Sequence, residues 1–400
     1  MSWTWSRGGL LGAILVCTGA LMAVLWYWLP VRLDAVSPYM DVTLSDGFRL
    51  RAWAGTVANL WGLSGLPGAD RPMLALNLLA WWVWLLCCLW LLARNLVGSD
   101  IYRWFVLVFW AVMLGFTATS FNAYLSVFID TVAAAWIALT VVACARYLTQ
   151  PKWTMRVLMV VAPIMAILTH ESALFLWAVV VLWCIWKVGV LEAMAWFSPC
   201  AVVVAGLLVF SPAPEKLSHG LAIGEYIHIG MDQTWSMLGQ SANLFGILSG
   251  PGGLWIVFVF LGWVWIVAPG EQARWGRITI LFLMLIVSLS PLLVAHDTNR
   301  LTSMLWLPVV LLVNEVNEVV RGGARVLLNG KILMFFLAVL QLFNPPSLIY
   351  RNGIVPYNCY AWWLSHDLKD ARIALDVKPW HLQVYGDNYL TQQSAAQCSL

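Results

Sequence analysis

The sequence predicts an all-α fold: a polytopic transmembrane helical bundle of about eleven spans, N-terminus inside and C-terminus outside. Three observations lead there. Hydrophobic residues make up 62% of the chain and charged residues only 10%, whereas a soluble domain carries roughly a quarter charged residues to cover its surface. Mean hydropathy is +0.82. Apolar runs long enough to cross about 30 Å of hydrocarbon recur from one end of the chain almost to the other. Such a chain cannot present most of its surface to water, so lipid is the solvent it is built for.

The runs place spans at about 8–29, 72–92, 101–118, 124–145, 155–168, 172–186, 191–210, 254–267, 278–295, 301–313 and 332–343. The first has no clear A-x-A cleavage site, so it reads as a retained helix rather than a signal peptide. Two long polar loops, 30–71 and 211–253, fall outside. No repeat, Gly/Ser linker or low-complexity stretch divides the chain. Residues 1–343 therefore form one membrane domain, and 344–400 a small extracytoplasmic tail.

Charge sets the orientation. With the N-terminus inside, the inner connections hold Arg7, Arg94, Arg103, Arg146, Lys152, Arg156, Lys187, Arg274, Arg277, Arg321, Arg325 and Lys331. The outer connections, tail excluded, hold only Arg32, Arg49, Arg51, Arg71, Lys216 and Arg300. That asymmetry is the one the positive-inside rule requires. Of the 8 cysteines, Cys359 and Cys398 lie in the outer tail, where a disulfide is chemically allowed; the others sit in apolar segments as small buried hydrophobes. The 27 tryptophans suit interfacial anchoring and packing.

Several function classes drop out. A net charge of +3 with no basic run excludes nucleic acid as a partner. No Walker motif, GxGxxG or GxSxG supports nucleotide-driven chemistry on the inside. No metal-ligand spacing occurs, so no cofactor is specified, although a divalent cation at the carboxylates stays open.

The chemistry-bearing residues collect on the outer side. The first outer loop carries Asp34, Asp41, Asp46, Arg49 and Arg51, followed by a stretch, 50–63, able to lie as a helix on the membrane surface. Its carboxylates suit a general base, its arginines a phosphate; a solvated, capped loop explains the same charges. His170 and Glu171 occupy a tight turn between the fifth and sixth spans, usable as a helix cap or as an acid/base or phosphate-binding pair. His296, Asp297 and Arg300 join the ninth and tenth spans, at i,i+3 and i,i+4 spacings that let them share a helix face. A local ion pair or a cationic clamp on a lipid-linked diphosphate both fit. Asp130 lies about a turn and a half into the fourth span, where an acid has to face the bundle interior or a cavity. The loop 211–253, with Glu215, Lys216, His219, Glu225, His228 and Asp232, suits a lid or groove without a fixed role. Glu192, Asn314, Glu315, Asn317 and Glu318, near the inner face, read as structural.

Many spans, acids in the first outer loop and active groups on the outer face resemble the GT-C superfamily, which moves a sugar from a polyprenyl-phosphate carrier. The turns His170-Glu171 and His296-Asp297-Thr298-Asn299-Arg300 also resemble EpsG-like and Wzy-like polysaccharide polymerases. The GT-C likeness implies a catalytic carboxylate among Asp34, Asp41 and Asp46, in a bacterial inner membrane with the active face periplasmic. The implied partners are a polyprenyl-phosphate-linked sugar, membrane lipid, and a glycan, lipid or protein acceptor. There is no adjacent acid pair and no large extracytoplasmic domain here. A transporter or flippase of lipid-linked glycans and a histidine-based acyltransferase are the alternatives. Transporters place their polar groups at the midplane on broken helices, whereas most of these lie at one face.

Overall fold

The computed structural model describes residues 7–28, 56, 70–94, 100–123, 130–210, 241–268, 271–293, 298–320, 330–343, 347–350 and 353–356. Asp34, Asp41, Asp46, Arg49, Arg51, His296, Asp297, Cys359 and Cys398 lie outside them, as does the surface helix expected over 50–63 apart from Thr56.

The described residues are helical but for one hairpin. In order, the helices are α1 (Arg7–Trp28), α2 (Asp70–Ala93), α3 (Asp100–Gly115), α4 (Ala118–Asn122), α5 (Asp130–Tyr147), α6 (Trp153–Thr169), α7 (Ala173–Val188), α8 (Val190–Phe210), α9 (Ser241–Ser249), α10 (Leu254–Val267), α11 (Glu271–Leu289), α12 (Thr298–Thr302), α13 (Trp306–Val320) and α14 (Gly330–Leu342). Short 3-10 turns cover Ser290–Leu293 and Ser303–Leu305. Strands β1 (Ser347–Tyr350) and β2 (Gly353–Pro356) pair antiparallel, so the tail is not wholly irregular. Among the described residues, Met73–Ala93, Asp130–Tyr147 and Ala273–Leu292 are long and apolar enough to cross a membrane, and shorter apolar helices lie in the other expected spans except 301–313.

α5 is the central element. It packs against α2, α4, α6 and α7. Its buried Ala133, Ala134, Ala135, Ala138, Ala143 and Ala145 let neighbouring backbones come close, the usual basis of helix association where no hydrophobic drive exists. Within its span 72% of residues are buried, against 28% in Ala273–Leu292, which therefore sits at the periphery with Trp275 and Phe282 exposed. Trp84 and Trp306 meet edge to face at 5.5 Å and seat α13 on α2.

Two expectations need correction. The third span, expected to 118, ends at Gly115; Thr117, at φ −107° and ψ 161°, breaks it, and α4 follows as a separate turn. The Thr117 hydroxyl donates back to the Leu114 carbonyl rather than capping α4. The tenth span is not one regular helix: α12, a 3-10 turn and α13 succeed one another. Pro308, in the first turn of α13, has no N–H to return to Met304, and the Ser303 hydroxyl donates to the Arg300 carbonyl at 2.6 Å, so the chain tightens there. Asp130 is the first described residue of α5, and residues 124–129, the expected start of the fourth span, lie outside the described residues. The long loop 211–253 also contains α9.

The bundle has two distinct ends. At one, the Arg94 guanidinium donates to the Ala145 carbonyl, Arg146 stacks over Trp90 at 4.4 Å, Arg156 donates to the Ala195 carbonyl and Arg277 to that of Ala268. There too the Glu315 carboxylate accepts from Lys187 Nζ at 2.7 Å, Trp183 Nε1 at 2.8 Å and Trp186 Nε1 at 3.1 Å. The other end, about 24 Å away by the rise of α5 from Asp130 to Arg146, holds Asp130, His170 and Arg300.

Candidate functional site

The site is assembled at helix ends. Asp130 is the first residue of α5 and His170 the last-turn cap of α6, so the antiparallel packing of those helices brings the two side chains together. Arg300 comes from α12, far away in sequence. His170 Nε2 lies 3.7 Å from Asp130 Oδ1, and Arg300 Nε 3.6 Å from Asp130 Oδ2. Side-chain exposure is 9% for Asp130, 5% for His170 and 11% for Arg300. One carboxylate thus sits buried between an imidazole and a guanidinium.

A polar scaffold fixes these elements. The one-turn α4 is its hub. Thr119 Oγ1 shares a 2.7 Å hydrogen bond with Ser303 Oγ, and the Thr119 carbonyl accepts from Thr131 Oγ1, next to Asp130. Ser120 Oγ accepts from Trp81 Nε1 on α2, and Ala118 N–H donates to the Gly250 carbonyl beyond α9. Thr302 Oγ1 reaches the Gly246 carbonyl within α9 at 3.3 Å. β1 packs on α9 and α12. The Gly253 N–H and the Phe116 carbonyl are bridged by the Gln341 amide, tying α14 to the same end. These bonds tie α2, α4, α5, α9, α12 and α14 together at this end of the bundle.

The hydrogen bonding of Asp130 is unusual. Buried polar groups in folded proteins are almost always hydrogen-bonded. Among the described residues no group donates a hydrogen bond to either Asp130 oxygen, because the two cationic or polar neighbours stand just beyond hydrogen-bond reach. Asn122, 1% exposed at the end of α4, likewise has an Nδ2 with no hydrogen-bond partner among them. Glu315, equally buried at the opposite end, is satisfied by its three donors. The first carboxylate is held in place without being consumed by the fold; the second is consumed by it.

His170 is held on its other side. The Ser172 main-chain N–H donates to Nδ1 at 3.1 Å, and Ser172 Oγ lies 2.8 Å from the same nitrogen. Nδ1 therefore presents a lone pair and the ring proton sits on Nε2, facing Asp130. Glu171 Oε2 is 3.9 Å from Nδ1, an approach of two acceptors and not a hydrogen bond. At 38% side-chain exposure Glu171 marks the outer edge of the cluster.

Of the residues singled out from the sequence, the structure brings together Asp130, His170, Glu171 and Arg300. The first-loop acids and arginines, His296 and Asp297 are outside the described residues. Ser172 and the Thr119–Ser303 link carried no motif of their own; the only sequence signal was the polar run Thr169-His170-Glu171-Ser172 between two apolar segments. Among the described residues no group of three metal-ligating side chains occurs. Compared with family models, curated proteins and solved structures, the chain has no match.

Proposed function

We propose that the protein is a multi-pass membrane glycosyltransferase, of a bacterial inner membrane, that moves a sugar from a polyprenyl-(di)phosphate carrier to an acceptor hydroxyl at the periplasmic face, in cell-surface glycan synthesis or modification. The observation that carries this reading is the buried Asp130 carboxylate, faced by His170 and Arg300 and hydrogen-bonded by no described protein group. It supplies the base that the GT-C resemblance would otherwise take from Asp34, Asp41 or Asp46.

In the proposed step the acceptor oxygen bonds to the anomeric carbon as the carbon–oxygen bond to phosphate breaks. The acceptor proton passes to Asp130. The electron pair leaves with the polyprenyl phosphate, whose anion faces Arg300. A guanidinium has five N–H donors in a rigid fork, more than one carboxylate can take, and remains charged at any working pH. Donors aimed at a leaving anion in a site shielded from water are worth far more than the same donors in water.

The sidedness follows from charge. An eleven-span, N-in arrangement puts the end that carries Arg94, Arg146, Lys187 and Arg277 in the cytoplasm. It leaves the Asp130 end outside, where no nucleotide is available and a lipid-linked donor is needed. The placement of Asp130 beside His170 and Arg300 at one end of the bundle, and not at mid-span, favours transfer at a membrane face over transport through the midplane.

The test uses the full chain in detergent or lipid nanodiscs. Polyprenyl-phosphate-linked hexoses serve as donors, and release of polyprenyl phosphate is measured. The expected result is measurable release that D130N and R300A each lower by about 10²–10³-fold, the range for loss of one preorganised charge-stabilising group. Release that both variants leave untouched refutes the assignment.

A further inference from the structure

We infer that His170 is a positioning residue and not the proton acceptor: its Nε2–H faces Asp130 across 3.7 Å, and Ser172 imposes that orientation. The inference rests on the transferase reading for what Asp130 does, but its geometry stands by itself.

The argument begins with Ser172. A residue at the start of a helix normally turns its hydroxyl to cap the first N–H groups. Ser172 does not: its backbone is helical at φ −60° and ψ −22°, and it makes no side-chain cap bond. Its hydroxyl and its main-chain N–H both meet His170 Nδ1, at 2.8 and 3.1 Å. A main-chain N–H can only donate. A proton on Nδ1 would face it donor to donor, so that nitrogen keeps its lone pair. The imidazole proton is then on Nε2, and Nε2 is the nitrogen 3.7 Å from Asp130 Oδ1.

This division of labour has a chemical consequence. The basic lone pair of His170 is turned into the α6–α7 turn and buried against Ser172, away from the carboxylate and from Arg300. Its N–H, by contrast, is aimed at the carboxylate. His170 therefore sets the field at one oxygen of Asp130 while Arg300 stands at the other. Proton transfer from an acceptor hydroxyl falls to Asp130 alone, and the imidazole acts through it.

Glutamine separates the two roles, because its amide N–H₂ can reach where the Nε2–H stands but cannot accept a proton. With polyprenyl-phosphate-linked hexose as donor, H170Q is expected to stay within about tenfold of wild type. H170A should fall well below H170Q. If His170 were the general base, both would lose about 10²–10⁴-fold. The pH profile of H170Q should keep the shape of the wild-type profile.

A second measurement needs no turnover. Nitrogen-15 labelling of histidine in the full chain reports the tautomer directly, and the 6 histidines are few enough to assign His170 by its loss in H170Q. The expected spectrum has a protonated Nε2 and a bare Nδ1, and S172A keeps it because the main-chain N–H remains. A protonated Nδ1 in the neutral ring, or an H170Q as inactive as H170A in an active preparation, overturns the inference. Loss of all dependence on Asp130 would instead refute the transferase reading and leave the tautomer result standing.

Discussion

Charge removal at Asp130 and Arg300 gives a quantitative handle on the site. The two are 3.6 Å apart and about nine-tenths buried. At an effective dielectric of about 20, unit charges at that separation attract by about 4–5 kcal/mol before desolvation is counted. Removing one partner of a buried pair costs about 3–5 kcal/mol, mostly the penalty of the charge left behind. D130N keeps the shape of the side chain and deletes the charge; R300M keeps the aliphatic stem and deletes only the guanidinium. Each single variant should therefore lose about 3 kcal/mol. The double variant should lose much less than the sum, with a coupling of about 2–3 kcal/mol, since the second substitution removes the charge that the first stranded. Reversible unfolding in detergent, followed by fluorescence of the 27 tryptophans, measures all four corners of the cycle. Additivity within about 0.5 kcal/mol, the behaviour of independent sites, would mean that the pair does not interact, and the site as described would fail with it.

Two further substitutions probe the frame. K187M strands the Glu315 carboxylate, which is 5% exposed, and should cost about 3–5 kcal/mol in the same unfolding assay. K187M should nonetheless leave binding of farnesyl phosphate, a short polyprenyl monophosphate, unchanged, because that cluster lies at the far end of the bundle. A Cβ added at Gly115 would collide with the Leu21 side chain where α3 crosses α1, so G115A should cost about 1–3 kcal/mol through overpacking, and L21A should recover most of it in the double variant.

How far the sequence could be read depended on which force decided each feature. Where hydrophobicity decides, the reading is close: 155–168 was expected and Trp153–Thr169 is helical, and Leu254–Val267 agrees at both ends. Where a single hydrogen bond decides, it fails. Residues 101–118 and 301–313 are predominantly apolar by composition. Yet the chain breaks at Thr117 and tightens at Ser303 because hydroxyls there bond backward to carbonyls and Pro308 withholds an N–H. The site shows the same division. That Asp130, His170 and Arg300 belong to one face follows from counting spans and basic residues. That they meet at one carboxylate depends on the crossing of α5, α6 and α12, for which no pattern in the sequence stands. Ser172 was hidden for a similar reason, since a serine at a helix start reads as a cap and only coordinates show its hydroxyl turned the other way.

The two buried carboxylates make the functional argument sharper than either does alone. Asp130 and Glu315 are 8% and 5% exposed, each has a cation beside it, and each belongs to a helix rich in apolar residues. Burial by itself therefore does not separate a working acid from a structural one. The surroundings do. Around Glu315 a lysine and two indole N–H groups approach within 2.7–3.1 Å and leave the carboxylate little to gain from any other donor. Around Asp130 the donors stop at 3.6 and 3.7 Å, although Thr119, Ser303 and Thr131 close by are bonded at 2.7–3.0 Å. A fold that can set hydroxyls to that distance on the adjoining turn has the means to close the last few tenths of an ångström around Asp130. Among the described residues, the carboxylate at the Arg300 end is thus the one that no protein group hydrogen-bonds, the feature on which the proposed transfer rests.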